Sequence, residues 1–327
     1  MQHHSLNRRT LLALSAVLVA GAAPAWAQGT STPLRVILPV GAGSGVDTIV
    51  RSAQNALSRA LGGQPVVVEN LPGAGGITGT SALVKAAPDG HTVAFISNNH
   101  SVNPSVYKSV PYDGLTDITP ISVVGGSPFL LVVNPAKMPA KDAKELQALL
   151  LSKPGHFNMG SSGNGTIIHL AGEMFVEAVG AKVQHIPYKG MGPMMADIIA
   201  GQVDFGVAAV PAAQGHLASG RMRAIGVMGK SRVASLPDVP TIAEQGFPTV
   251  DVAGWFAMVA PKGLPAAQVD RLHKAVVAAF EDPEVKAAMA RQDNLINPST
   301  PDAAGRFLKS EQERYGRLVS KAGIKLD

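Results

Sequence analysis

The 327-residue chain contains no cysteine. Disulfides and thiolate metal sites are therefore unavailable, and stability must come from the core. Beyond residue 27, no apolar run approaches the ~18 residues of a membrane-spanning helix. Charge of one sign is also scarce, with 28 Lys and Arg facing 23 Asp and Glu. The small basic excess is spread along the chain. It lacks the clustered cations and interleaved aromatics of a nucleic-acid surface, so no nucleic-acid partner is expected. No short-period repeat and no low-complexity segment occurs outside the N-terminal stretch.

That N-terminal stretch has its own logic. Arg8 and Arg9 precede an uncharged apolar segment over residues 10–23, and Ala25-Trp26-Ala27 has the small-x-small form of a cleavage site. Residues 1–27 therefore read as an export signal, with the mature chain starting near Gln28. Arg8-Arg9 also fits a twin-arginine signal, and the general secretory and twin-arginine routes both remain open. Removing the segment takes away two arginines and no acid, leaving 26 basic against 23 acidic side chains. The remaining 300 residues, from a chain that is 46% apolar overall, are enough for two ordinary domains.

Two glycine-rich loops far apart in sequence carry most of the information. Residues 39–47 (Pro-Val-Gly-Ala-Gly-Ser-Gly-Val-Asp) follow an apolar strand pattern over residues 34–38. Residues 160–166 (Gly-Ser-Ser-Gly-Asn-Gly-Thr) follow a short strand over residues 156–159. Each loop precedes a helical pattern. A strand–glycine loop–helix unit aims free backbone N–H groups and the positive end of a helix dipole at one point, which suits an anion. Two such units suggest two lobes, each presenting an anion-binding edge to a shared cleft. A third glycine loop, Gly73 to Gly76, follows a strand over residues 65–69.

Around these loops strands and helices alternate. Ser44 and Asp47 fit the start of one helix, which Gly62-Gly63 ends. The clearest helix is over residues 167–179. Ile167, Leu170, Ala171, Met174, Phe175, Ala178 and Val179 share one face, and Gly180 stops it. Strands are expected at 91–97, 129–133, 183–186, 203–209 and 224–228, and helices at 140–151 and after Pro193. The alternation predicts mostly parallel sheets with helices on both faces, twice over. Ligands of such sheets bind at the carboxyl ends of the strands, where the glycine loops lie.

Enzyme motifs fail one by one. The first loop has Val46 where a dinucleotide fingerprint has its third glycine. Gly229-Lys230-Ser231 lacks the upstream glycine of a P-loop, and Pro237 and Pro240 follow where a helix would begin. Asn164 replaces the last glycine of a nucleophile elbow, and Ser105-Val106-Tyr107-Lys108 stands without the other penicillin-binding motifs. His169 and Glu173 are one turn apart, but no third metal ligand accompanies them. No catalytic residue, metal or cofactor is expected.

An ordered set of short motifs resembles the Bug-type solute-binding receptors of tripartite tricarboxylate transporters. The set begins with Pro39, Gly43 and Asp47, and continues with residues 64–76 (QPVVVENLPGAGG), 88–92 (PDGHT) and 103–107 (NPSVY). It goes on through 111–113 (PYD), 117–120 (DITP), 187–190 (PYKG), 201–204 (GQVD), 236–241 (LPDVPT) and Trp255-Phe256. The resemblance covers nearly all of the mature chain. It implies an α/β fold of the type II periplasmic binding protein kind, with two Rossmann-like lobes joined by two crossover segments in a Venus flytrap. Residues 28–128 plus 253–327 would form one lobe and residues 129–252 the other. It further implies a periplasmic, monomeric receptor that binds a small carboxylate through backbone N–H groups, loop hydroxyls and water, and passes it to a membrane permease. Dicarboxylates, tricarboxylates, acidic amino acids and aromatic acids all fit that description. A solute sensor and an enzyme acting on a small organic acid are the alternatives.

The candidate ligand residues are Gly41, Ala42, Gly43, Ser44 and Asp47 in the first loop, then Gly75, Gly76, Ser97 and Asn98. From the second half come Ser161, Ser162, Gly165, Thr166, His169, Tyr188 and Asp204. Asp47 serves equally as a helix cap, and Ser161, Ser162 and Thr166 sit where hydroxyls cap helices. His169 reads as a structural histidine or a contact, Tyr188 as a cleft wall, and Asp204 as an orienting partner for Tyr188 or a ligand amine. His100 is a candidate proton-switchable donor, and Trp255 reads as packing at a crossover. Where the family's first loop has adjacent glycines and a later hydroxyl, this chain has Gly43-Ser44 and Val46, so one hydroxyl is gained and another lost.

Overall fold

The computed structural model describes residues 32–322, and the expected export signal at residues 1–27 lies outside the described residues. The chain runs β1 (Leu34–Leu38), α1 (Gly45–Ala60), β2 (Val66–Asn70), a 3-10 turn (Ala74–Gly76), α2 (Ile77–Val84), β3 (Thr92–Ser97), α3 (Asn98–Val106) and β4 (Ile118–Ser127). It continues with β5 (Phe129–Val133), α4 (Ala143–Ser152), β6 (Asn158–Ser161), α5 (Ile167–Val179), β7 (Gln184–Pro187), α6 (Met191–Ala200), β8 (Phe205–Ala209), α7 (Val210–Ala218) and β9 (Arg223–Val227). It ends with β10 (Gly254–Pro261), α8 (Ala266–Glu281), α9 (Pro283–Arg291), β11 (Leu295–Ile296) and α10 (Pro301–Ala322).

The strands form two sheets. One has the order β11-β4-β10-β3-β1-β2 and the other β7-β6-β8-β5-β9. Both are mixed, where the strand–helix alternation had predicted mostly parallel sheets. β1 pairs in parallel with β2 and β3, and β6 with β7 and β8. β10 runs antiparallel to β3 and β4, β11 to β4, and β5 to β8 and β9. The antiparallel strands cluster at the crossings: β4 leads through Pro128 directly into β5, and β10 brings the chain back. A strand that links two sheets runs counter to the strand–helix units on either side of it.

Alternation sets the core of the first sheet. Leu34, Val36 and Leu38 of β1 join Phe256, Met258 and Ala260 of β10 and Phe280 of α8 on one face. Ile37, Ala94, Ala257, Val259 and Leu308 pack on the other. Both faces are covered, so β10 is buried along its length and reads as an unbroken apolar run. The second sheet buries β5, β8 and the apolar face of α5, including Leu130, Val207 and Phe175. Helix ends follow local chemistry. Ser44 caps α1 by accepting from the Asp47 N–H at 3.3 Å, and Thr166 caps α5 by accepting from the His169 N–H at 3.3 Å. Gly180 ends α5 in the left-handed conformation, with φ 70°.

Candidate functional site

A cavity of about 580 Å³ lies between the two sheets. Its walls are the segments that follow β1, β2, β3, β6 and β7, with Ala209 at the end of β8, and its floor is the crossing, with Ser127, Phe129, Gly254 and Trp255. The glycine loops thus converge at the carboxyl ends of strands, as open α/β sheets require of a ligand site.

The first loop is held from behind. The Asp47 carboxylate accepts from the Gly43 N–H at 2.9 Å, Arg51 Nε at 2.8 Å and Asn70 Nδ2 at 2.9 Å. Asn70 Nδ2 also reaches the Val40 carbonyl at 3.2 Å. Burial pushes the Asp47 carboxyl up, but hydrogen bonds from Gly43, Asn70 and Arg51 outweigh it and hold the group below its usual range. Asp47 is therefore a brace for the loop, and it does not line the cavity. The Ser44 N–H bonds the Gly41 carbonyl at 3.3 Å. The N–H groups of Gly45 and Val46 open α1 without a hydrogen bond to another described residue, and both residues line the cavity. The third loop packs on the first: a Cβ on Gly76 would come within 2.9 Å of the Pro39 carbonyl oxygen.

The second loop is arranged differently, and most of its donors are engaged. Gly163 N–H bonds Ser161 Oγ at 3.2 Å, Gly165 N–H bonds His169 Nδ1 at 3.2 Å, and Thr166 N–H bonds the Gly163 carbonyl at 3.3 Å. The Ile167 N–H, first in α5, donates to Asn99 Oδ1 at 2.7 Å. Asn99 belongs to α3, so a first-sheet side chain caps a second-sheet helix. At the helix start the Ile168 N–H remains, and in the loop those of Ser162 and Asn164, which line the cavity; the Ser162 hydroxyl donates to Thr166 Oγ1 at 3.1 Å. The two loops were expected to present matching anion edges. In the structure the α1 end offers two free N–H groups and the α5 end one.

Behind the second loop, His169 and His185 stack with ring centroids 3.7 Å apart and planes 7° apart. Ser161 Oγ lies 2.6 Å from His185 Nε2. The His169 Nδ1 accepts from Gly165, so the neutral ring carries its proton on Nε2, toward Glu173 Oε1 at 3.5 Å.

Of the candidate residues, Gly41, Ser44, Gly75, Gly76, Ser97, Asn98, Ser162, Thr166 and Tyr188 line the cavity. Ala42, Gly43, Asp47, Ser161, Gly165, His169 and Asp204 do not. The Ser161 hydroxyl is fully buried against Gly163 and His185. Asp204 pairs with Asn158, accepting from its N–H at 2.8 Å while its own N–H bonds Asn158 Oδ1 at 3.0 Å. It therefore ties β6 to the approach of β8, and Tyr188 is oriented instead by Asp197, 2.7 Å from its hydroxyl. Burial and then Asp197 raise the Tyr188 phenol to about 12. Asn98 lines the cavity with its amide already engaged: Oδ1 accepts from the Trp255 N–H, and Nδ2 donates to the Ala253 carbonyl and Tyr315 OH. His100 faces away, buried against Tyr112 with Nε2 2.6 Å from the Gly114 carbonyl. Burial lowers its pKa. Trp255 is packing at the crossing, its indole N–H donating to Glu311 at 2.8 Å.

Sequence reasoning missed Asn99, Tyr107, Ser127 and Phe129 as lining residues. The one available signal was the polar run Ser97-Asn98-Asn99 at a strand end. Tyr107 OH bonds the Asn164 carbonyl at 3.4 Å, a second link across the cleft. Among the described residues, Lys189 is the one charged side chain in the lining. Among the described residues no group of three or more acidic, His or Cys side chains could hold a metal, and no helix is long and apolar enough to cross a membrane.

Comparison with known proteins adds an independent line. Residues 49–324 match the family described as "Tripartite tricarboxylate transporter family receptor". The chain is 35% identical to Protein BugT of Bordetella pertussis (strain Tohama I), over 98% of this chain and all of the relative. It superposes on the periplasmic binding protein BugD with a TM-score of 0.86 and 33% identity, covering 90% of this chain and 99% of BugD. The R. palustris protein Rpa4515, solved with adipate, gives a TM-score of 0.86 at 29% identity, covering 90% of this chain and 98% of that one.

Proposed function

The chain belongs to the tripartite tricarboxylate transporter receptor family, and from that premise we propose that it captures a small carboxylate in the periplasm and presents it to a membrane permease. Residues 28–128 with 253–327 act as one lobe and 129–252 as the other, closing on the solute. The observation that carries this reading is the start of α1. There two free N–H groups, Gly45 and Val46, meet the cavity at the positive end of a helix whose loop is fixed by Asp47. A carboxylate at that point gains charge-assisted hydrogen bonds without a salt bridge. The adipate bound by the Rpa4515 relative supports the ligand class.

Trp255 is the single tryptophan left once residues 1–27 are gone. Mature protein titrated with a panel of carboxylates should show a saturable change in Trp255 fluorescence. The melting temperature should rise with the concentration of the same acid, as linkage requires. Lys189→Met should change affinity less than threefold, because the backbone and not the exposed amine holds the anion. A response confined to amines or sugars would sink the carboxylate reading.

A further inference from the structure

We propose that this cleft opens on one side only, and that Asp293 is the latch of that side. The inference rests on the receptor reading above and adds how the lobes part. Away from the crossing strands, the two halves of the molecule meet chiefly on two sides. These sides flank the first sheet, one on the face of Leu308 and the other on the face of Phe280.

The first contact is apolar and buried. Helix α5 belongs to the second sheet, yet ten of its thirteen residues are buried. A helix buried almost all round needs cover on both sides. α3 and α10 of the first half supply the second cover. Val102, Val106, Tyr315 and Val319 are at most 3% exposed and join the core of the second sheet. The Asn99–Ile167 and Tyr107–Asn164 bonds accompany them. Parting this seam would return apolar surface to water, at a cost that grows with its area.

The second contact is polar and exposed. It is built on the end of α9, whose Met289 sits in the core of the first sheet. The Asp293 N–H bonds the Ala290 carbonyl at 3.1 Å, and the Asn294 N–H bonds the Met289 carbonyl at 3.0 Å. This is a Schellman cap with Asp293 at its left-handed position, φ 54°. Glycine is the usual residue there, because an L side chain is strained at positive φ. The side chain that stands in its place reaches across to the other half. Its carboxylate accepts from the Ser235 N–H at 2.9 Å and from the Ser235 hydroxyl. Ser235 lies between Val233 and Leu236, which pack in the core of the second sheet. Gln214 of α7 donates to the Arg291 carbonyl nearby. α7 also touches α1, but only Val210 and Ala213 of α7 are buried. When this side parts, water takes over the freed donors and acceptors, so little free energy is lost. Opening therefore runs through the α7–α9 side, with the seam of α3, α10 and α5 as its pivot.

The chain has no cysteine, so paired spin labels can be placed without background. Mature protein carrying Ala218→Cys with Lys286→Cys reads the α7–α9 side, and Lys182→Cys with Ser320→Cys reads the seam; all four positions are exposed. Each pair is measured in the native background and in Asp293→Gly, without ligand and with saturating adipate. The Asp293→Gly variant should keep its melting temperature, because glycine suits the cap. Its ratio of open to closed molecules across the α7–α9 side should rise at least threefold, while the seam distance stays fixed. Adipate should leave it at least threefold faster, with Asp293→Asn in between. Seam distances that lengthen along with the others overturn the one-sided opening. An unchanged open-to-closed ratio in Asp293→Gly overturns the latch. Failure of adipate and of every other carboxylate to bind overturns the receptor reading instead, and the two unliganded distances still decide this one.

Discussion

His185 sits where one proton matters. Burial first, and then the stacked His169, push its pKa from the usual 6.5 to about 4, with Glu173 pulling slightly the other way. The folded value lies below the unfolded one, so below pH 6.5 the unfolded chain binds a proton that the folded chain refuses. The stability that comes from neutral His185 is therefore complete above pH 6.5 and is lost as the pH falls toward 4. Melting temperatures measured from pH 7 to pH 4 should decline across that window, and His185→Gln should flatten the decline. An equal slope in the variant would place the titration elsewhere. The residue scale is also where sequence reading is weakest. The braces Asp47, Gly43 and Ser161 were visible as loop members, but their aim away from the cavity was not. Aim depends on partners such as Asn70 and His185, 23 and 24 residues distant.

At the scale of elements, the start of α1 lies against the end of β8: a Cβ on Gly45 would come within 3.1 Å of Ala209 Cβ. Gly45→Val should leave the melting temperature nearly unchanged, since each sheet keeps its own core. It should weaken ligand binding about five- to tenfold, because overpacking at the contact costs roughly 1 kcal/mol or more of the closed arrangement. Calorimetry will read this, and native affinity in that variant would show that the lobes do not approach there on binding. Some elements were legible and some were not, for physical reasons. α5 carried a full apolar face, a Thr cap and a terminal glycine, and it forms where expected. α3 was hidden by Pro104 and its asparagines, which local propensity assigns to turns. β4 contains Pro120, Gly125 and Gly126, which read as breakers, yet it pairs along the antiparallel β10. β10 lacks alternation because both of its faces are covered, and periodicity cannot separate such a strand from a buried helix.

The whole molecule was legible as two α/β halves around a shared cleft, because two distant strand–loop–helix units imply it. The mixed sheets were not, since strand direction at a crossing depends on where the chain returns and not on local pattern. That return has a temporal side. All five strands of the second sheet lie between residues 129 and 227, in one unbroken stretch. The first sheet instead receives β10 between β3 and β4 only after that whole stretch has been made. Order of assembly follows: the second half can acquire its pairings while β3 and β4 still wait with open edges, and late, long-range pairing is slow. Pulse-labelled hydrogen exchange during refolding should protect amides of β5, β6 and β8 before those of β3, β4 and β10. Simultaneous protection would mean that the two halves condense together. A chain made from its N-terminus must therefore carry an unfinished sheet through the 126 residues (128–253) that separate β4 from β10, with open edges exposed to proteases and to its own kind.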